Sequence, residues 1–500
     1  MTLAPFTGRT TFDPVASVET IRSLQIEVAT SPPDQVTLGV LVTPDGPLPE
    51  DAPLDWDGLK SVGFESSTSQ TVPLPTGGGG RLILIGIGDG DLDHNLLRDS
   101  AAAFSRATSK VAELAFRLPE DVDQAMAAQA VVEGITLARY RYDSLKAEPT
   151  VTPITTLTLV TRKRAGVTKA AERGRALSEA TQVARDLANT PPALLTPTAI
   201  ADIAQRLGKE RGVEVEIFDK DALIEMGCGG MLGVNAGSIE PPKLVKLTYL
   251  PEGRSRGTLT LVGKGITYDA GGLALKPADP IHAAMKNDMS GAGAILAAML
   301  NLGRLGCKTT VIGYLCCTDN RPSGSAIAMG DVLSVRGGKT VEVVNTDAEG
   351  RLVMADALVL ATEEDTDAIV DIATLTGAAM RTFGTRVAAV MGNNPDVVGQ
   401  VKTAADATDE PVWELPLLRD LRKEMNSPVA DIKNLGGANA GSITAGLFLE
   451  EFVADTPWAH IDMAGVADNT ADESWRPPGC TGFGARLLAE VAVNFKRPSA

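Results

Sequence analysis

The chain has 500 residues, 44% of them hydrophobic, which is enough for two or more separate cores. Its 63 acidic and 46 basic residues give a formal net charge of −17, a balance that repels phosphate backbones and anionic lipid and argues against nucleic acid as the main partner. With 50 glycines and 4% aromatics, the composition suits an α/β protein rich in tight turns better than an all-β one.

Residues 1–164 read as a smaller N-terminal α/β domain. The opening segment Met1-Thr2-Leu3-Ala4-Pro5-Phe6 has no basic region followed by an apolar run, so no secretory signal is expected. No apolar stretch reaches the roughly 18 residues a membrane span needs. Val36–Val42 is a predicted strand. Gly77-Gly78-Gly79-Gly80 is a predicted flexible turn before a buried strand, Leu82–Gly86. Gly86–Asp91 has the look of a calcium loop but lacks the closing Glu, so it reads as a strand-end turn. Helices are predicted over Ser100–Phe116 and Val122–Tyr140, and a strand over Leu157–Val160. Across residues 165–188, Leu177, Ala180, Ala184 and Leu187 recur at helical spacing until Asn189-Thr190-Pro191-Pro192 stops the pattern. This is the expected linker helix.

Residues 189–500 alternate strand and helix signals and read as a larger C-terminal catalytic domain. Predicted strands are Val213–Phe218, Leu244–Tyr249, Leu259–Val262, Thr309–Leu315, Thr340–Val344, Ala368–Ile372 and Val387–Met391. Predicted helices are Pro197–Arg211, Ala292–Leu305, Leu352–Thr362 and Ser442–Ala454. Such alternation implies a mostly parallel central sheet covered by helices, with ligands at the carboxyl ends of the strands.

The five cysteines are odd in number, include the adjacent pair Cys316-Cys317 and contain no C-x-x-C. A disulfide framework and a zinc finger are therefore not expected, and a reducing compartment is. His94, His282 and His460 are far apart, so a metal site must be built mainly from carboxylates. His460 and Trp458 lie in an apolar stretch and read as core.

Three acidic segments stand out. The first, Gly263-Lys264-Gly265-Ile266-Thr267-Tyr268-Asp269-Ala270-Gly271-Gly272 with Lys276 beyond it, follows a predicted strand. It fails as a dinucleotide loop because Tyr268 stands where the third glycine belongs. It reads instead as a loop whose glycines admit a ligand close to the backbone. In the second, Asp288 precedes an apolar helix, where a plain N-cap is the simplest reading. In the third, Asp347, Glu349 and Arg351 alternate after a β-branched strand; in extended backbone they would project to one side. A salt bridge at a helix start would explain any one such pair. Taken together, the segments bring four carboxylates to strand ends of one sheet, a repulsive cluster that two divalent cations would relieve.

Asn345-Thr346-Asp347-Ala348-Glu349-Gly350-Arg351-Leu352 resembles the signature octapeptide of the leucyl aminopeptidases, the cytosol aminopeptidase family. The Gly263–Asp269 segment with Lys276, then Ala373–Ala378, Ile443-Thr444-Ala445 and His460–Gly465, extend the resemblance over most of residues 185–490. The resemblance implies a two-metal aminopeptidase that releases leucine and other N-terminal residues using a water that bridges the metals. Asp269 and Glu349 would bridge the ions. Lys264 and Asp288 would complete one shell and Asp347 the other. Lys276 would stabilise the oxyanion, and Arg351 would hold a bicarbonate acting as general base. Met285, Thr374, Gly377, Ala464 and Ala467 would line the pocket for the N-terminal side chain. Mammalian relatives carry Met where Ala467 stands, so a roomier pocket is expected. Ser442 stands where Thr is frequent. The metals would be Mn or Zn, with Mg or Co able to substitute. A cytoplasmic homohexamer acting on peptides, with no membrane partner, is the further implication.

Two rival readings remain. A two-metal phosphoesterase would usually carry several His at its site, and the three here lie outside the acidic segments. Some members of the family double as DNA-binding regulators, a role that the net charge of −17 weighs against.

Overall fold

A computed structural model describes residues 12–76 and 79–499. The predicted signal-free segment Met1–Phe6, and Gly77 and Gly78 of the predicted turn, lie outside the described residues. The chain divides into two compact units, one built on residues 15–182 with 469–479, the other on residues 183–468 with those from Cys480 onward.

The first unit is organised by a six-stranded sheet of β1 (Gln25–Ala29), β2 (Thr37–Val42), β3 (Thr71–Pro75), β4 (Arg81–Gly86), β5 (Glu113–Arg117) and β6 (Thr156–Val160), in the order β1-β6-β5-β2-β4-β3. Every pairing is parallel except β3 with β4. The helix expected over Ser100–Phe116 is two elements. It runs His94–Ala107 and stops where Thr108 turns its hydroxyl back onto the Phe104 carbonyl, 2.8 Å away. Leu114, Ala115 and Phe116 then form a strand buried on both faces. A short apolar run of this kind carries no period that separates strand from helix.

The second unit contains β7 (Glu214–Phe218), β8 (Lys243–Tyr249), β9 (Thr258–Asp269), β10 (Thr310–Asn320), β11 (Val332–Ser334), β12 (Thr340–Glu342), β13 (Ala368–Ala373), β14 (Ala388–Gly392), β15 (Val412–Glu414), β16 (Ile432–Lys433) and β17 (Trp458–Asp462). Eight of these make the main sheet in the order β15-β14-β17-β13-β9-β10-β8-β7. The central strands β17, β13, β9 and β10 are parallel, and antiparallel pairings flank them. Thr340–Glu342, expected in the main sheet, joins a small sheet with β11 and β16 instead. The central strands are buried along almost their whole length, as a sheet covered on both faces requires.

The segment around Gly263 and Gly265 is not a ligand loop. Strand β9 continues through it to Asp269. A Cβ on Gly263 would lie 2.8 Å from the Ala292 backbone nitrogen and from Ile295, and one on Gly265 would lie 2.8 Å from the Cys316 carbonyl. Gly263 thus lets the helix Ser290–Met299 settle onto the middle of β9, and that helix start carries the neighbouring Asp288. Gly263→Ala should destabilise the protein by about 1–3 kcal/mol, because backbone must move to admit the methyl group. A thermal melt of the variant checks this, and an unchanged midpoint would show the packing to be looser than described.

Candidate metal centre and active site

The site forms where β9 outruns its neighbour β13. In register, Gly263 faces Ile372, so β13 ends level with Lys264 while β9 extends to Asp269. On the other side, a register shift between Thr318 and Asn320 sets Asn320 opposite Asp269. Asn320 Nδ2 donates to Asp269 Oδ1 at 2.9 Å, and the Gly271 backbone N–H does the same at 2.9 Å. These two bonds aim the carboxylate and leave Oδ2 for the cluster.

Lys264 is buried and its ammonium is shared. Nζ lies 2.8 Å from Asp288 Oδ2, 2.8 Å from Glu349 Oε1 and 2.9 Å from the Thr374 carbonyl oxygen. Lys276 spans the other half, 2.8 Å from Asp269 Oδ2 and 2.6 Å from Asp347 Oδ1. Asp269, Asp347 and Glu349 each offer an oxygen within 4.8 Å of the others. Asp288 joins them through Lys264.

The N-cap reading of Asp288 fails. The helix that follows begins at Ser290 with no side-chain cap, and Asp288 Oδ1 instead accepts the Thr374 hydroxyl at 2.7 Å. The extended reading of 347–351 fails too. Glu349 already has right-handed helical dihedrals and Gly350 opens the helix Gly350–Thr362. The three side chains therefore diverge: Asp347 to Lys276, Glu349 to Lys264, and Arg351 over the Phe448 ring at 5.8 Å. Glycine follows Glu349 because a Cβ there would sit 2.6 Å from Lys264 Cε.

Of the expected pocket residues, Thr374 touches the cluster directly. Gly377 begins the helix Gly377–Phe383 and is exposed. Ala464 follows β17, its N–H 3.3 Å from Asp462 Oδ1. Met285 opens the short 3-10 turn that ends at Asp288. Ala467 is buried, and its carbonyl accepts the Thr481 N–H at 3.0 Å. The Met285 carbonyl accepts the Asp288 backbone N–H at 3.4 Å, which ties Met285 to the cluster through the main chain.

Electrostatics single out the same groups. Four carboxylates face two ammoniums, so one or more must stay protonated or meet other cations. Burial pushes Glu349 up to about 8 and Asp288 up to about 7, with Asp269 adding to both and Lys264 opposing. Burial and Asp269 also raise Asp347. For Lys264 burial acts downward, but Asp288, Glu349 and Asp269 outweigh it and raise the ammonium. Asp288 Oδ2, Asp347 Oδ1 and Glu349 Oε1 are buried and accept no well-formed hydrogen bond, despite the nearby lysines. Oxygens of this kind, hard and anionic, suit divalent cations. Arg351 is buried, with Nε and Nη1 lacking any acceptor, and burial lowers it to about 10 against the pull of Glu349 and Asp462. Two orphaned guanidinium donors beside the cluster suit a small anion.

Comparison with known proteins decides the family. The description "Cytosol aminopeptidase family, catalytic domain" matches residues 182–489, and the corresponding N-terminal domain matches residues 56–149. The chain belongs to the cytosol aminopeptidase family. Among cytosol aminopeptidase relatives, a "Probable cytosol aminopeptidase" of Streptomyces coelicolor is 41% identical over 92% of this chain and 95% of its own length. One of the same name from Clavibacter michiganensis is 39% identical over 97% and 99%. A solved structure, "Bottromycin maturation enzyme BotP in complex with Mn", superposes with a TM-score of 0.84 at 36% identity, covering 92% of this chain and 99% of that one. Cytosol aminopeptidases are peptide hydrolases, and this chain is an enzyme of that class. Among the described residues no helix is long and apolar enough to cross a membrane.

Sequence reasoning missed two parts of the site. Asn320 had no visible signal, since its role comes from a register shift between strands. Asp462 lies in the His460–Gly465 stretch of the resemblance with no contact predicted for it, and its bonds to Leu375 and Thr376 reach partners far away in the chain.

Proposed function

We propose that this cytosol aminopeptidase releases N-terminal residues, leucine among them, from peptides with two divalent cations held by Lys264, Asp269, Asp288, Asp347 and Glu349. The observation that carries the reading is the buried excess of carboxylate charge over the two lysines. When bound, the cations would supply Lewis acidity toward the scissile carbonyl and lower the pKa of water. Mn is the first candidate because the similar solved structure holds it; Zn, Mg and Co accept the same donors. Lys264 would have to give up its proton to act as a ligand, which two adjacent cations favour. Lys276 would donate to the carbonyl oxygen as negative charge develops there. Arg351 would hold a bicarbonate on its unpartnered donors, and that anion would take the proton from the attacking water, a task for which the cluster offers no His. The substrate's free α-amine would be held by one of the cations, which would confine cleavage to the first residue. Met285, Thr374, Gly377, Ala464 and Ala467 would line the side-chain pocket. A cytoplasmic homohexamer is part of the proposal; five free cysteines, all buried, accord with a reducing compartment.

The test is hydrolysis of leucine p-nitroanilide before and after chelation, with a phosphodiester as the rival substrate. Metal-dependent release from the anilide alone supports the reading, and full anilide turnover without metal defeats it. Arg351→Ala should lower kcat by about 100-fold or more with metal content unchanged, the usual scale for losing a positioned base. Parallel metal analysis and kinetics check that, and wild-type kcat in the variant would remove Arg351 from the mechanism.

A further inference from the structure

Asp462, the last residue of β17, is fully buried and makes four hydrogen bonds to two separate segments. Oδ1 receives the backbone N–H groups of Leu375 at 3.2 Å, Thr376 at 3.3 Å and Ala464 at 3.3 Å. Oδ2 receives the Thr376 hydroxyl at 2.6 Å. That hydroxyl also meets Ser442 Oγ at 2.8 Å, which adds the start of the helix Gly441–Glu450 to the network. Thr376 in turn caps the helix Gly377–Phe383, its Oγ1 receiving the Ala379 N–H at 3.1 Å. Directly before Leu375 stands Thr374, whose hydroxyl bonds Asp288 and whose carbonyl bonds Lys264. Charged acceptors make the stronger hydrogen bonds, and a buried one with its donors in place holds them rigidly.

We infer that Asp462 is a positioning residue: its carboxylate clamps the Thr374–Gly377 turn, setting Thr374 against Asp288 and fixing Gly377 and Ala464 for the substrate's first side chain. The inference rests on the aminopeptidase reading above and extends it to a residue outside the carboxylate cluster, which meets the proposed pocket only at the Ala464 N–H. Without the carboxylate, two backbone N–H groups of the turn and the Thr376 hydroxyl lose their acceptor at once. The turn would then hold the substrate poorly while the five proposed metal ligands keep their own chain positions.

The experiment uses the full chain loaded with Mn, and reads KM and kcat for leucine p-nitroanilide together with Mn content. Asp462→Ala should raise KM about tenfold or more, as expected when interactions that hold the substrate are lost. Asp462→Asn should recover most of that, because its Oδ1 still accepts the three N–H groups. A purely structural role would only shrink the active fraction, lowering apparent kcat and leaving KM alone. If Asp462→Ala fails to fold, Thr376→Val decides, since it removes the hydroxyl link and keeps the carboxylate. A raised KM in Thr376→Val supports the clamp. An unchanged KM in the folded Asp462→Ala, or in Thr376→Val where that variant decides, overturns it. If the wild-type protein itself turns over fully without metal, the failure lies with the parent reading and not with Asp462.

Discussion

Lys276→Ala should lower turnover by about 100- to 1000-fold, the scale seen when one donor to a developing oxyanion is removed. The loaded variant should keep its metal and its fold. Lys276 stands on the turn that leaves β9, closed by its own N–H to the Ala270 carbonyl at 3.0 Å. Its side chain is 18% exposed against 4% for Lys264, so of the two lysines it is the one that can reach a substrate. Its ion partners Asp269 and Asp347 would be satisfied by cations in the loaded enzyme, which is why its removal should spare metal binding. Lys276→Arg should not rescue, since a planar guanidinium places its donors differently at the carbonyl oxygen from a compact ammonium. Steady-state kinetics with metal analysis on the same sample is the check; a Lys276→Ala enzyme with more than a third of wild-type turnover would exclude the role.

Glu349→Gln should cost the protein metal and take hydrolysis to near background, because a neutral amide keeps the shape and loses the charge. The same residue governs behaviour with pH. In metal-free protein the folded-state values of Asp288, about 7, and Glu349, about 8, lie above their ordinary carboxylate values. Retained protons therefore favour the folded state at low pH, and that contribution fades as pH rises through 7 to 8. Metal-free protein should melt at progressively lower temperature between pH 6 and pH 9. Protons must also leave before cations can bind, so Mn affinity should climb over the same interval. Glu349→Gln should flatten both trends. A metal-free melting temperature that rises from pH 6 to pH 9 would contradict this picture of the cluster.

Much of the catalytic unit was legible because its signals are local. Alternating strands and helices announced a largely parallel sheet, and the run Asn345–Leu352 announced the acidic centre. What escaped depends on distant partners. Trp458–Asp462 reads as an apolar stretch broken by a His and an Asp, yet it is a central strand. Its His460 pairs with Asp371 at 2.5 Å, and Trp458 Nε1 donates to the same carboxylate at 2.6 Å. Buried polar residues in a strand look like interruptions until their partners are known. The glycines of β9 misled for a related reason. They serve the close approach of a helix and a neighbouring strand, and sequence alone cannot tell that from the approach of a ligand. The local geometry of Glu349 was misjudged because a helix start and an extended strand end differ there by a single ψ angle. Asp462 lies in the His460–Gly465 stretch of the family resemblance, yet no role of its own was legible there, since most of its donors are backbone N–H groups that any sequence supplies.

The most direct test of the central claim is to titrate chelated protein with Mn and follow bound metal and leucine p-nitroanilide hydrolysis together. The account predicts about two ions per chain, with turnover returning as they bind. Hydrolysis at the full rate with no ion bound, or a protein that takes up no ion at these carboxylates, would contradict it.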